Sequence, residues 1–289
     1  MFKLAVFTDE VSQDFARAVD FAGKFGLDGL EIRSVWDTPP QDQGPEIRRK
    51  MDEALKGTGL EIASIASPFY KCKIDDEADR RRHLEILRRS IDLGRHFGTK
   101  IVRGFTFWKL DDVEANWARI LDLFEEPVKI LEAEDAILGI ENESSTNHGG
   151  GAIVRRFIDD VGSPRVKAIW DPANSVHFGE VPYPDGYEHV KDLLCHVHLK
   201  DARVNPQTGK HENCPVGEGE IDIAGQFVAL ATDGYDGYVS LETHWRPKAL
   251  DEETLNRPGG STFSLNAETA SRICLQNIHA MLTDLNLEV

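Results

Sequence analysis

Residues 136–142 read AILGIEN, a short apolar run that ends in the carboxylate Glu141. Three later segments repeat the pattern, each an apolar run with a residue able to bind a metal at its end. They are VKAIWD (166–171), LLCHVHLKD (193–201) and GYVSLETHW (237–245), and the residues concerned are Asp171, His198 and Glu242. Short apolar runs of this kind are typical of buried β-strands. The pattern therefore predicts four strands with metal-binding residues near their carboxyl ends.

The spacing of these four residues favours a parallel sheet. They are roughly 27 to 44 positions apart, about the length of one strand, loop, helix and loop, so consecutive parallel strands would bring them to one edge. Three carboxylates and one imidazole suit a hard or borderline divalent ion better than a thiolate-preferring one. We expect Mn²⁺, with Mg²⁺, Co²⁺ or Zn²⁺ as alternatives. The sequence thus predicts a metal-dependent enzyme.

Alternating strand and helix patterns run along the whole chain. Together they predict a single (β/α)₈ TIM barrel domain over residues 1–289, with an open doubly wound sheet as the alternative. The predicted strands are Leu4–Thr8, Gly29–Ile32, Glu61–Ala66, Lys100–Gly104, Ile137–Asn142, Val166–Trp170, Cys195–Leu199 and Gly237–Glu242.

The predicted helices have apolar residues at helical spacing, and several end in glycine. Residues 15–26, 80–98 and 116–134 are clear examples, and a helical tail is predicted over Ala267–Leu285. The sixth repeat is the weakest, because the proline-rich segment 181–194 leaves room for only a short helix.

Composition excludes several classes of protein. The net charge of −17 repels phosphate backbones and anionic membrane surfaces, so we expect neither nucleic acid nor a membrane as a partner. No run is long and apolar enough to span a membrane, and the amino terminus lacks a signal-peptide pattern. The four cysteines are widely spaced, which favours reduced thiols. We expect a soluble cytoplasmic protein with a small-molecule substrate, and the sequence is compatible with a homo-oligomer. The cysteines are Cys72, Cys195, Cys214 and Cys274.

Two of the metal ligands have neighbouring alternatives. Glu143 lies on the same strand face as Glu141 and could be the ligand or a hydrogen-bonding neighbour, and His196 shares a face with His198. We prefer His198 because it is nearer the carboxyl end of its strand. Other polar and aromatic residues near strand ends are candidates for binding substrate or for walling a sugar pocket. The polar candidates are Arg103, His177, Lys200 and Arg203, and the aromatic ones are Trp36, Phe69, Phe105, Trp108 and Trp245.

Two glycine-rich stretches do not match catalytic motifs. VGEGEID (216–222) lacks the GK[ST] of a phosphate-binding loop, and its Asp222 is predicted to cap the next helix. HGGG (148–151) is not accompanied by a nucleophile elbow, so we interpret it as a loop entering a helix.

Segments spread along the chain resemble the xylose isomerase-like TIM barrel superfamily. This superfamily contains sugar and sugar-phosphate isomerases and epimerases, including ketose 3-epimerases and relatives of inosose dehydratase. The resemblance is most specific over residues 136–245, and weaker in the first three strands. It rests on GIEN, WDPANSVHFGE, HVHLKDA, VGEGEID and GYDGYVSLE, preceded by FTDEVS, GLDGLEIRS and IASIASPFY.

The resemblance implies particular roles. A Glu-Asp-His-Glu set binds a divalent metal, commonly Mn²⁺, at positions that match Glu141, Asp171, His198 and Glu242, and in the ketose 3-epimerases the two glutamates are also acid and base. This chain departs from those epimerases twice. It has Asn174 where they have a substrate-binding His, and Asn147 where they have an acidic residue.

The chemistry that such a site supports is proton removal next to a carbonyl, through an enediolate, with Glu141 and Glu242 as acid and base. The leading interpretation is an isomerase or epimerase of a sugar or keto-sugar. A lyase that dehydrates a keto-inositol or cleaves a keto-glycoside begins with the same step, and product analysis separates the two. A DNA-repair endonuclease of the AP type would need more His ligands and a basic face. A non-catalytic binding barrel would bind no metal.

Overall fold

Eight parallel strands close into a barrel in the computed structural model, which describes residues 1–248 and 250–287. The order around the barrel is β1-β10-β7-β6-β5-β4-β3-β2, so the predicted TIM barrel is confirmed and the open sheet is wrong. The strands are β1 Lys3–Phe7, β2 Gly29–Ile32, β3 Glu61–Phe69, β4 Ile101–Gly104, β5 Ile137–Glu141, β6 Val166–Trp170, β7 Leu194–Leu199, β8 Asp201–Val204, β9 His211–Cys214 and β10 Tyr238–Leu241.

Helices follow the barrel strands and begin at recognisable caps. Asp14 caps α1 by accepting a hydrogen bond from the amide of Ala16 at 3.1 Å, and Asp222 caps α9 as predicted, accepting from Gly225 at 2.8 Å. The helices are α1 Phe15–Lys24, α2 Pro45–Leu55, α3 Glu77–Phe97, α4 Trp117–Asp122, α5 Glu125–Glu134, α6 Gly151–Val161, α7 Pro172–Phe178, α8 Tyr187–Val190, α9 Ile223–Thr232, α10 Glu252–Asn256, α11 Gly260–Phe263 and α12 Ala267–Asp284.

The main departures from the predicted elements have local causes. Residues 116–134 form two helices, α4 and α5, instead of one, because Pro127 has no amide hydrogen and is tolerated only in the first turn of a helix. A hairpin of β8 and β9 was not predicted, and pairs Asp201 with Cys214. The α-helices of the sixth repeat, α7 and α8, are short, with a single π-helical turn at Pro182–Gly186 between them, as expected for this proline-rich segment.

The chain divides into two compact units whose boundaries fall inside β3 and β7. The terminal unit comprises Met1–Ala63 and Val197–Val289, and the central unit comprises Ser64–His196. In the terminal unit β1 pairs with both β2 and β10. In the central unit β4 lies between β3 and β5, and β5 also pairs with β6.

Each unit has its own aromatic core. In the terminal unit Phe2 stacks on Phe227 with ring centroids 5.6 Å apart. In the central unit Phe124 contacts Tyr70 at 5.3 Å and Phe157 at 4.8 Å. Burial of rings of this size is a major part of core stability.

All four cysteines are free, as expected. Within the described part of the chain, no helix has the length and apolar character needed to cross a membrane.

Candidate active site

The four predicted metal ligands lie at the carboxyl ends of β5, β6, β7 and β10, which are consecutive neighbours around the barrel. Glu141 is the last residue of β5, Asp171 follows β6, His198 is the penultimate residue of β7 and Glu242 follows β10. All four side chains are buried. Barrels of this type place their chemistry at this end.

In the terminal unit, Glu242 is held by cationic side chains on both of its oxygens. Oε2 accepts a hydrogen bond from Nζ of Lys200 at 2.8 Å and lies 3.5 Å from Nδ1 of His198. Oε1 accepts from Arg33 and lies 3.2 Å from Nε2 of His244. These contacts fix the orientation of the carboxylate.

The same contacts control the ionisation of Glu242. Burial alone would raise the pKa of this carboxyl, but Lys200, His244 and Arg33 together lower it well below its usual range. Glu242 is therefore held in its ionised form, and these neighbours make it a weaker base than an ordinary glutamate.

Arg33 is anchored on all sides. Its Nε lies 3.0 Å from both oxygens of Asp9, and Nη2 donates to Glu10 at 3.1 Å. Phe7 and Phe263 contact the guanidinium at 4.6 and 4.7 Å. Because each edge of the guanidinium has a carboxylate partner, its fork has one orientation.

Two further carboxylates of the terminal unit have basic partners. Glu31 in β2 lies 3.2 Å from Nε2 of His198. Glu10 Oε2 forms an ion pair with Nη1 of Arg246 at 2.8 Å. Although burial raises the pKa of Glu10, Arg246, His244 and Arg33 lower it below its ordinary value. We call Asp9, Glu10, Arg33, Lys200, Glu242, His244 and Arg246 the Glu242 network.

In the central unit, Glu141 has a separate pair of donors. Nη1 of Arg103 donates to Oε2 at 3.1 Å, and Nδ2 of Asn174 donates to Oε1 at 3.1 Å. Asn174 thus contacts a predicted ligand from the position at which the resemblance implies a substrate-binding His. The amide orients Glu141 without adding charge.

Asp171 both ends β6 and starts α7. Its Oδ1 accepts hydrogen bonds from the amides of Ala173 at 2.9 Å and Asn174 at 3.1 Å, which caps the helix. Asn142 holds the backbone of Asp171 from β5, donating to its carbonyl oxygen and accepting from its amide. Asp171 and Pro172 therefore form a helix start, with proline at the first helical position.

Glu143, the alternative to Glu141, is engaged in an ion pair. It accepts from Nζ of Lys71 at 3.0 Å, and this ammonium lies 4.8 Å from the ring of Phe105 and 5.5 Å from that of Trp108. Both charged side chains are largely buried. We call Lys71, Glu143, Phe105 and Trp108 the Lys71 subsite.

The remaining substrate candidates are less enclosed. His177 is exposed in the last turn of α7, and Arg203 is exposed in the hairpin, where it pairs with Glu212 at 3.2 Å. Trp108 is half-buried. Asn147 holds a loop, because its amide donates to the carbonyl of Thr106 at 2.7 Å and accepts from Leu110 at 2.9 Å.

The glycine-rich stretch 216–222 is positioned by one carboxylate. Oδ2 of Asp201 accepts from the amides of Gly217 at 2.9 Å and Gly219 at 3.0 Å. A Cβ at Gly219 would lie 2.0 Å from Asp201, so this approach requires glycine. In HGGG, Gly151 begins α6, which confirms the interpretation as a loop entering a helix.

Most residues of the Glu242 network, as well as Glu31 and Lys71, were not predicted from the sequence to be functional. Glu31 and Arg33 could have been predicted, because they are charged residues at the end of the apolar strand GLEI. The same pattern predicted Glu141. The residue that pairs with each charged side chain could not be predicted from the sequence, because the pairing depends on which strands are neighbours in the barrel.

Comparison with known proteins identifies the family. A model described as xylose isomerase-like TIM barrel matches residues 19–260. This chain belongs to that family. The family explains why the polar residues of the barrel concentrate at the strand carboxyl ends.

Individual proteins are similar over nearly the whole chain. The L-ribulose-5-phosphate 3-epimerase UlaE of Escherichia coli (strain SMS-3-5 / SECEC) is 25% identical over 253 residues, covering 81% of this chain and 83% of its own. The structure of the IOLI protein with a zinc atom has a TM-score of 0.75 at 17% identity, covering 98% of this chain and 99% of that one. That of an L-ribulose 3-epimerase has a TM-score of 0.69 at 19% identity, covering 99% and 97%.

Proposed function

We propose that this protein is a divalent-metal-dependent isomerase or epimerase that acts on a sugar or keto-sugar by removing a proton next to a carbonyl. The observation that carries the proposal is the group formed by Glu141, Asp171, His198 and Glu242. All four are buried at the carboxyl ends of barrel strands, and within the terminal unit Nδ1 of His198 lies 3.5 Å from Oε2 of Glu242. The family and the names of the similar epimerases support sugar as the substrate class.

The donor set fits a divalent ion of intermediate hardness. Three carboxylates and an imidazole favour Mn²⁺, and the zinc atom in the similar IOLI structure supports an ion of this class. When bound, the ion would polarise a carbonyl oxygen and so acidify the adjacent carbon.

The chain's own residues would perform the proton transfers. Glu242 is ionised and oriented by its contacts with Lys200 and Arg33, so we assign it as one acid/base group. Glu141, oriented by Arg103 and Asn174, is the other. Two oriented carboxylates could remove and return a proton on opposite faces of one carbon, which is epimerisation, or on adjacent carbons, which is isomerisation.

The substrate contacts that we propose fall into two groups. Buried donors beside the two glutamates would bind the reacting end of the substrate, since they are within reach of the carboxylates that act on it. Residues with greater exposure would contact the distal end. The first group is Arg103, Asn174 and Lys200, and the second is Trp108, His177 and Arg203.

Metal analysis is the first test. Purified protein loaded with Mn²⁺ should retain about one ion per chain after dialysis, and Asp171→Asn or His198→Ala should lose most of the affinity because each removes a proposed ligand. Bound Mn²⁺ should also raise the thermal midpoint, because an ion that binds the folded state opposes unfolding. Full activity in rigorously metal-free protein would contradict the proposal.

Exchange with deuterated water is the second test. A ketose or keto-sugar incubated with the loaded protein should gain deuterium at the carbon next to the carbonyl, and the product should be an epimer or isomer whose composition is unchanged apart from that deuterium. A product lighter by one water would assign the lyase alternative. Metal-dependent isomerisation without deuterium gain would indicate hydride transfer and remove the acid/base role of the glutamates.

A further inference from the structure

Buried charge is concentrated at one end of this protein. Within the described residues, every buried Asp, Glu, Lys or Arg side chain lies in a barrel strand or within five residues after one. The carboxylates are Asp9, Glu10, Glu31, Glu141, Asp171, Asp201 and Glu242, and the cations are Arg33, Arg103, Lys200 and Arg246.

Carboxylates outnumber cations in each unit taken by itself. The terminal unit has five buried carboxylates against three buried cations, and the central unit has two against one. Even with one divalent ion bound, the buried carboxylates and cations together would carry a net negative charge. A dianionic phosphate brought to this end of the barrel would therefore meet an excess of like charge, which is costly where water is excluded.

Each of the buried cations also has a carboxylate partner. Arg33 contacts Asp9, Glu10 and Glu242, and Arg246 contacts Glu10. Lys200 contacts Glu242 and Arg103 contacts Glu141. A phosphate bound to any of these cations would lie beside the carboxylate that the cation already contacts, and repulsion between two anions is strongly unfavourable in a buried site.

The largely buried Lys71 follows the same rule, but its surroundings suit a sugar. Its ammonium is paired with Glu143 and lies over the rings of Phe105 and Trp108. An ammonium donates to hydroxyls, a carboxylate accepts from them, and an aromatic face packs against the C–H face of a sugar ring or chain. No net charge on the ligand is needed for this recognition.

We propose that the substrate is an uncharged ketose or keto-sugar, not a sugar phosphate, and that the Lys71 subsite binds its distal hydroxyls. This rests on the proposed function and sets the chain apart from the L-ribulose-5-phosphate 3-epimerase to which it is similar. The Glu143 carboxylate makes Lys71 a hydroxyl-binding group, because it neutralises the ammonium.

The test compares L-ribulose with L-ribulose 5-phosphate in deuterated water, using full-length protein loaded with Mn²⁺ and freed of excess metal. We expect kcat/KM for deuterium incorporation to be at least about tenfold higher for the free ketose. Equal or faster exchange of the phosphate ester would overturn the proposal.

A charge-removing variant tests the subsite itself. Glu143→Gln should narrow the preference for the free ketose by about threefold or more, because it releases the charge of Lys71. Glu132→Gln, at an exposed position of α5, makes the same chemical change and should leave the ratio as in wild type. An unchanged ratio in Glu143→Gln would refute the role of the Lys71 subsite.

Binding of inorganic phosphate tests whether the site excludes a phosphate group, and this test does not require catalysis. At about 10 mM, phosphate should shift the thermal midpoint of the loaded protein no more than chloride at equal ionic strength. A saturable stabilisation by phosphate would overturn the proposal. A third outcome is that phosphate does not stabilise the protein and that neither L-ribulose nor L-ribulose 5-phosphate exchanges deuterium. In that case the proposed function fails for these two substrates, but the conclusion that the site does not bind phosphate is retained.

Discussion

The side chain of Asn142 forms two hydrogen bonds with the backbone of Asp171, donating to its carbonyl oxygen at 2.8 Å and accepting from its amide at 2.7 Å. The pairing joins the end of β5 to the end of β6, immediately beside two of the proposed metal ligands. Asn142 thereby sets the position of Asp171 without offering a ligand itself.

We expect Asn142→Ala to weaken Mn²⁺ binding by about 10- to 100-fold, the usual effect of removing a group that orients a ligand. Calorimetric titration measures the affinity, and the thermal midpoint of metal-free protein shows whether the variant remains folded. Wild-type affinity in a folded variant would mean that Asp171 is positioned by its helix cap alone.

Arg33 should be needed for both stability and catalysis. Arg33→Met leaves Asp9, Glu10 and Glu242 without their shared cation and should lower the free energy of unfolding by about 3 kcal/mol or more in denaturant titrations. Adding Asp9→Asn should restore part of this loss, because one buried charge is then removed. Arg33→Lys keeps the positive charge but loses the planar set of donors that contacts three carboxylates. The fold-decrease in kcat should therefore be larger than the fold-change in KM. Additive effects of Arg33→Met and Asp9→Asn would contradict this coupling.

The two glutamates should be separable from metal binding by conservative substitution. Glu141→Gln and Glu242→Gln should each lower the rate of deuterium exchange by roughly two to four orders of magnitude. Because Gln still offers an oxygen ligand, a variant that retains metal and loses exchange would support the catalytic assignment. Wild-type exchange in either variant would exclude that residue as acid or base.

Stability should depend on pH through His83, which lies outside the proposed active site. Burial lowers the pKa of His83 to about 4, and Nδ1 accepts a hydrogen bond from the amide of Tyr70 at 2.9 Å. Since the folded-state pKa lies below the unfolded value of about 6.5, the unfolded state binds more protons between these values. Stability is therefore complete above pH 6.5 and declines as the pH falls toward 4.

Between pH 6.5 and 5 this group should account for about 1 to 2 kcal/mol of lost stability. Urea titrations at the two pH values measure the loss. His83→Gln should reduce it, whereas His189→Gln, at an exposed position, should not. An identical pH dependence in His83→Gln and wild type would show that other groups dominate acid unfolding.

Much of the fold was predictable because its signals are local. The apolar runs predicted all eight barrel strands to within a few residues, and Asp222 correctly predicted the start of α9. The division of residues 116–134 was missed because apolar periodicity continues through a site where only the proline position breaks the helix. The hairpin at Asp201–Val204 was missed because its strands are short and polar.

The candidate site was predictable only in part, because pairing is not a local property. The carboxyl ends of the strands revealed Glu141, Asp171, His198 and Glu242, but not that Arg33 reaches Glu242 across 209 positions of sequence. Lys71 and Glu143 are likewise 72 positions apart, and only the folded chain joins them.

The hydrogen bonds of Asn147 with the backbone of Thr106 and Leu110 constrain which side chains position 147 can hold. A carboxylate at this position, as the resemblance implies for the ketose 3-epimerases, could not donate to Thr106 and would face its carbonyl oxygen. Replacing Asn147 alone with an acidic residue would therefore disturb the loop that Asn147 holds. A chain with an acidic residue here would therefore need a different arrangement of residues 106–110, so we expect position 147 and this loop to vary together.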